Sequence, residues 1–307
     1  MRLTSRNKGQ KRAFALSFVV VFAILGGSYI GLVYLSGQIQ VQHLPSKVPS
    51  YNVSWGKYIP ADYLQASFEN YTQARAVNAS IPPNNVVLEL VLPVINISTD
   101  QVNAILSVTM SHPNQTIDIA FLASQAYSQL STVLQTDAHT SSVGTAPMYL
   151  VADSINGTLD VGWLGLVAGD HAAALALGGG QAQDGVTAIL NSVLGNTASI
   201  ISSVQVAQAA YIAGSNSDPL AVGFENFPGV VRTGNLTGTF VALEGGGISV
   251  SNVIGFNSSF SASSQYKYAK QVYNTYSKFT VYDSFIDAQA IWSFSRLEES
   301  LRLVGGA

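Results

Sequence analysis

The side chains able to do chemistry in this 307-residue chain are few and widely spaced. Four aspartates, Asp153, Asp160, Asp170 and Asp184, lie in a long stretch that contains no basic residue. Two carboxylates held close shift each other's pKa and can divide acid and base roles, as a hydrolase or transferase needs. The histidines are His43, His112, His139 and His171, and no two stand three or four residues apart, so no helix presents a metal-binding pair. Asp170–His171 can orient an imidazole for proton transfer, but the two fall at a predicted turn, where a solvated side chain is the plainer account. Asp153, Asn156 and Asp160 surround Gly157 loosely like a calcium loop; the spacing is not that of an EF-hand, and a turn explains it better. Cysteine is absent, which excludes disulfides, thiolate metal sites and thiol nucleophiles. H-E-x-x-H, the phosphate loop, the dinucleotide-binding glycine fingerprint and the nucleophile elbow are all missing. No cofactor or metal is implied, and no catalytic residue is assigned.

The elements that would have to position these groups begin with a greasy run. Residues 13–35 carry no charge and would span roughly 35 Å as a helix, slightly more than a bilayer core. Arg2, Arg6, Lys8, Lys11 and Arg12 precede them without an acid. The pattern predicts a cytoplasmic basic tail (1–12), a single N-terminal transmembrane helix (13–35) anchored in the lipid bilayer, and everything after it outside the cell. A cleaved signal peptide would have a shorter apolar core. Gly27 and Gly31 form a G-x-x-x-G step on which a second helix can pack, although glycine is common in such helices.

The remainder is poor in charge. Only 10% of the chain is charged, against about 25% in ordinary soluble domains. Apolar residues make up 48%, the net charge is −3 and the pI is near 5.7. Disorder and nucleic-acid binding are thereby disfavoured. Between Ala76 and Val231 there are ten carboxylates and no Lys or Arg. Eight N-x-S/T sequons occur, at Asn52, Asn70, Asn78, Asn96, Asn114, Asn156, Asn235 and Asn257, where chance alone gives about three. All lie after the apolar run, which predicts N-glycosylation of an extracytoplasmic body. A surface of Ser, Thr, Asn and sugars stays hydrated without ionisation and tolerates acid, and a neutral-pH secreted domain low in charge by drift accounts for the pattern equally well. In this respect the composition resembles that of cell-surface proteins of thermoacidophilic archaea. Lys8–Gly9 before an apolar helix also resembles archaeal class III signal sequences, but three polar residues intervene.

Residues 36–57 are polar and contain proline, and read as a stalk. Residues 58–307 mix strand and helix signals without regular βαβ spacing, which predicts an α+β, mainly antiparallel ectodomain, with a subdivision allowed near 140–146. Ser98 and Gln101 form a capping box ahead of Val102, Ile105, Leu106 and Met110, predicting a helix there. Strands are predicted around 86–95, 117–121, 148–151 and 220–224, and hairpins over 159–177 and 239–254. Helices are predicted near 127–134, 184–194, 200–211, 263–278 and 297–304, and one long strand over 279–294. The stretches from Pro147 and Pro219 share an order of strand, hairpin and helix.

Tyr266, Tyr268, Tyr273 and Tyr276 cluster on the 263–278 segment beside a lysine stripe, and tyrosine makes adaptable contact surfaces. A half-buried amphipathic helix accounts for the same pattern. The reading that follows is a membrane-anchored, glycosylated extracytoplasmic protein of the cell envelope without evident catalysis. Its partner would be an envelope protein or a glycan, not nucleic acid, and homo-oligomers are allowed. Its rivals are a carboxylate-dependent extracytoplasmic enzyme and a solute-binding ectodomain with an enclosed pocket.

Overall fold

The computed structural model describes residues 40–77, 97–112, 114–136, 140–155, 158–178, 180–215, 219–226 and 234–296. By internal contacts the chain forms two units, Met1–Gln42 and His43–Ala307. The described part of the first holds the two-residue strand β1 (Val41–Gln42). The second contains β2 (Tyr63–Asn70), β3 (Val102–Met110), β4 (Gln115–Leu122), β5 (Thr140–Val143), β6 (Ala146–Ile155), β7 (Thr158–Val167) and β8 (Ala172–Leu177). It continues with β9 (Ala221–Glu225), β10 (Gly234–Glu244), β11 (Gly247–Phe256), β12 (Lys278–Tyr282) and β13 (Phe285–Trp292). Its described α-helices are α1 (Tyr71–Ala76), α2 (Ser124–Thr136), α3 (Gly180–Val193), α4 (Val204–Ile212) and α5 (Ser259–Val272).

The fold is a mixed α+β architecture built on one large, mainly antiparallel sheet of 13 strands. The strands of the second unit follow the order β12-β13-β11-β10-β9-β2-β3-β4-β8-β7-β6-β5. β2 is the hinge of that order: it pairs antiparallel with β3 on one side and with β9 on the other. Strands are apolar on both faces because helices cover both. Ile117 and Ile119 of β4 join Val186, Ile189 and Leu190 of α3 and Val206 and Ala209 of α4 in one cluster. Ala120 and Leu122 of the same strand join Ala126 and Leu130 of α2 in another. A third, around Val241, Ile248, Val250 and Trp292, takes Tyr276 and the half-buried Tyr273. At Gly165 of β7 a Cβ would stand 2.8 Å from Val186 Cγ1, so glycine there lets α3 approach the sheet closely.

Several expectations need correction. The fold class is α+β and mainly antiparallel, but the single N-terminal transmembrane helix is not part of it as described. No helix among the described residues is long and apolar enough to cross a membrane. The longest, α3 and α5, have 14 residues each, or about 21 Å, short of a bilayer core of about 30 Å. Residues 13–35, with Gly27 and Gly31, lie outside the described residues, as do the strand expected at 86–95 and the helix expected at 297–304. The helix expected after Ser98 is strand β3. The capping box does form, but it closes only a three-residue 3-10 turn, Thr99–Gln101. Leu106, Val108 and Met110 then enter the first cluster while Ile105 enters the second, as strand alternation requires, and a register shift between Val102 and Ala104 turns Val102 to the second as well. The long strand expected at 279–294 is two, β12 and β13, turned at Asp283 with a φ of +37°. α5 ends at Val272, so Tyr273, Tyr276 and Lys278 lie beyond it. Part of the segment read as a stalk, Tyr51, Val53 and Trp55, is buried core, with exposed Asn52 and Ser54 between them.

Candidate functional site

The four aspartates read as catalytic candidates occupy three separate places. Asp170 sits in the turn between β7 and β8, where Tyr58 Oη donates to its Oδ2 at 2.6 Å and Lys57 Nζ lies 2.6 Å from the same oxygen. Burial, and then the neighbouring Asp170, push the Tyr58 phenol above its ordinary range. Asp184 lies on the exposed side of α3, within the helix. Asp153 of β6 is opposite Asp160 of β7 in the register of that hairpin. Asp170 is thus a structural tie and Asp184 a solvated charge.

The histidines are equally dispersed. His43 Nδ1 is 2.8 Å from Asp283 Oδ1, and the Leu44 amide donates to Asp283 Oδ2 at 2.8 Å. The amide bond, followed by the histidine, holds the Asp283 carboxyl below its usual range. His112 is exposed beside Ser111. His171 has a φ of +51° and reaches Ser124 Oγ at 3.2 Å. His139 lies outside the described residues. Among the described residues no group of three or more His, Asp or Glu is arranged to hold a metal ion.

Different acids are buried (Asp118, Asp287) or half-buried (Glu69, Glu225) in the sheet, and sequence reading passed over them. Asp287 of β13 is 1% exposed. Ser251 Oγ donates to its Oδ1 at 2.7 Å and Gln289 Nε2 to its Oδ2 at 2.7 Å. Burial raises its pKa to about 6 against the lowering pull of Ser251, Lys278 and Gln289. Glu69 of β2 is pushed up to about 7 by burial, and Glu225 of β9 is raised for the same reason. Asp118 of β4 accepts from Ser107 Oγ at 2.6 Å. These carboxylates do not form a dyad. Glu225 is in register with Gln65, four residues along β2 from Glu69, which is about 13 Å of strand. Asp118 and Asp287 belong to opposite halves of the sheet. A second polar set, Thr239 Oγ1 donating to Asn252 Oδ1 at 2.6 Å and Asn252 Nδ2 donating to Tyr276 Oη, crosses β10 and β11. The signal that could have revealed them is a polar pair such as Ser251–Asn252 inside an otherwise apolar strand.

The interaction candidates split. Tyr276 is buried, and Tyr273 packs edge-on against it with ring centroids 5.4 Å apart. Tyr266 is half-buried and meets Phe279 edge-on at 6.4 Å. Tyr268 is 43% exposed. It shares the outer side of α5 with Phe260, 72% exposed, and with exposed Lys267. Lys270 lies over the Phe279 ring at 6.0 Å. Sequence reading missed Phe260. The helix periodicity that places Phe260, Ser264, Lys267 and Tyr268 on one side could have found it.

Of the sequon asparagines, Asn52, Asn114 and Asn257 are exposed. Asn235 is half-exposed and its amide donates to Asn257 Oδ1, so these two stand side by side. Asn70 is buried at 8% exposure and accepts from the Gln73 amide at 3.0 Å as the N-cap of α1. Asn78, Asn96 and Asn156 lie outside the described residues.

No family model and no curated protein matches the chain. Among solved structures it is similar to crystal forms I, III and IV of a protein designated TP0453. Identities are 8%, 7% and 9%, and TM-scores 0.49, 0.48 and 0.46, respectively. The alignments cover 85%, 84% and 83% of this chain and 99%, 99% and 96% of those chains. Likeness at these values assigns neither a fold family nor an activity to the chain.

Proposed function

We propose that the chain is a non-catalytic interaction protein of the cell envelope, carrying N-linked glycans and binding a surface protein or glycan through the outer side of α5. One observation supports this most directly: Phe260 and Tyr268 stand exposed beside Lys267 on a helix whose inner side buries only Ala262 and Ala269. A large aromatic left in water next to a cation is a contact waiting for an acidic or hydroxyl-rich surface. Asn52 and Asn114 are exposed outside α5, where glycans leave that helix open, whereas Asn257 adjoins its N-cap Ser258. The dispersal of Asp170 and Asp184, and the separate partners of the buried acids, favour binding over hydrolysis.

The experiment compares wild type with Phe260→Ser/Tyr268→Ser in co-sedimentation with isolated cell envelopes. The double variant should bind at least about tenfold more weakly, with a melting temperature near that of wild type, because both side chains are already in water. Equal binding by the two proteins would refute this assignment.

A further inference from the structure

β5 is the last strand at one end of the sheet, and among the described residues no strand pairs with its outer edge. Its backbone bonding follows from the turn that joins it to β6. Val143 pairs with Ala146 across the two-residue loop Gly144–Thr145, and Gly144 supplies a φ of +56° at the first loop position. Residues flanking such a loop bond to each other, and bonded and non-bonded pairs then alternate. Ser141–Met148 is therefore a bonded pair, while Ser142–Pro147 and Thr140–Tyr149 are not. The position opposite Ser142 asks for no donor, and proline occupies it. The N–H and C=O groups of both Thr140 and Ser142 consequently point away from β6, into the space beside the sheet.

Apart from its shortness, four residues, this edge carries no side-chain protection among the described residues. Natural edge strands carry lysine, proline, an inward charge or a bulge. Thr140, Ser141, Ser142 and Val143 include none of these residue types, and their register with β6 runs without a shift. Leu150, one position past the last β5–β6 pair, is 41% exposed, and Leu194 is 38% exposed. Leu194 Cδ1 lies 3.2 Å from where a Cβ on Gly144 would stand, so it reaches the turn that ends β5.

We infer that the outer edge of β5 pairs antiparallel with β5 of a second copy of this chain, joining two sheets across a two-fold axis. The strand is complementary to itself. With Ser141 opposite Ser141, Thr140 of each copy faces Ser142 of the other, and their outward groups make four N–H···O=C bonds. Because β5 is uncharged, the two copies do not repel each other at the seam. A two-fold junction uses the edge up and closes, so it gives a dimer and not a filament.

The absence of cysteine makes a direct test available on the full chain. In Ser141→Cys the two introduced thiols face each other across a non-bonded pair, with Cα atoms about 4.5–5.5 Å apart, within disulfide reach. Mild oxidation is expected to give a covalent dimer at least about tenfold faster than for Ser264→Cys, an exposed control on α5. S141C/S142P should lose that advantage, because proline removes the outward donor of residue 142 while sparing the β5–β6 bonds. Wild type should sediment as a concentration-dependent dimer of twice 32.4 kDa. If circular dichroism finds S142P unfolded, S142K supplies the same comparison by placing a charge at the seam. The inference is overturned by a wild type that is monomeric at every concentration, or by S141C cross-linking no faster than S264C. A dimer untouched by a folded edge variant overturns it as well, since another surface must then hold the copies.

Discussion

Two regions of the sheet use the same chain order in different ways. In the first, β6, β7 and β8 are followed by α3; in the second, β9, β10 and β11 are followed by α5. α3 buries Val186, Ile189 and Leu190 against Ile117, Ile119 and the alanines of β8. α5 buries only Ala262 and Ala269 and leaves aromatics at its rim. The buried polar groups differ too. The second region, with the β12–β13 hairpin that follows it, holds Asp287 with Ser251 and Gln289, and Asn252 with Thr239 and Tyr276. Charge divides along the same line: no Lys or Arg falls between Ala76 and Val231, while Lys267, Lys270, Lys278 and Arg296 belong to the second region. Burying a large aliphatic side chain contributes roughly 1.5–3 kcal/mol, and alanine far less. The first helix is therefore a structural element held by its own core. The second is held lightly and leaves Phe260, Lys267 and Tyr268 exposed.

The largest expected effect tests that contrast. Leu190→Ala in α3 should destabilise the protein by about 2–5 kcal/mol, whereas Ala269→Gly in α5 should cost about 1 kcal/mol. Chemical denaturation of both variants measures the difference, and equal losses would erase the distinction between the helices.

The buried acids sharpen it through pH. Asp287 has a folded pKa near 6, above its ordinary 3.8, so the protonated form is the one the fold prefers. The stability linked to it is complete below about pH 4 and is lost as pH rises through 6. Glu69, raised from 4.5 to about 7, behaves alike over the window from pH 4.5 to 7. The protein should therefore be more stable near pH 4–5 than at pH 8. Asp287→Asn should flatten this profile by at most about 3 kcal/mol, since its amide carries no charge to bury. Thermal melts across pH 4–8 decide the matter; a profile that rises toward pH 8 in wild type contradicts it.

The smallest effect concerns the β12–β13 turn. Asp283→Asn removes the charge that draws His43 and the Leu44 amide to the turn, and should cost less than about 1 kcal/mol because the site is exposed. Hydrogen exchange at the Leu44 amide should rise while exchange at β11 amides stays unchanged. Faster exchange at β11 would mean that the turn supports the sheet.

Parts of this arrangement were legible in the residues. The alternation of Ile117, Ile119 and Phe121 gave away β4, and Gly245 and Gly246, with φ of +55° and +86°, mark the β10–β11 turn. Gly195 and Gly214, at +75° and +64°, follow α3 and α4 as helix stops should. β3 was misread because an apolar strand covered on both faces can match helical spacing by chance, and because a capping box says where a turn starts, not how long it runs. Of the candidate surface, Tyr268 was named correctly as a residue on the helix, but its exposure beside Phe260 was not. Exposure depends on what packs behind a helix, here β11, β12 and β13, and on the register that joins them into one surface.

Local chemistry, read residue by residue, determined that this chain is an α+β protein without thiols, without a local metal pair and with hairpins turned at particular glycines. Those features depend on neighbours within a few positions, which the sequence displays directly. The tertiary structure alone decided that β2 joins β3 to β9, that Asp287 and Glu69 rather than Asp170 and Asp184 are the desolvated acids, and that β5 ends the sheet among the described residues. Burial and pairing are set by residues tens to hundreds of positions away, and a carboxylate's charge is costly only where the folded chain has excluded water from it.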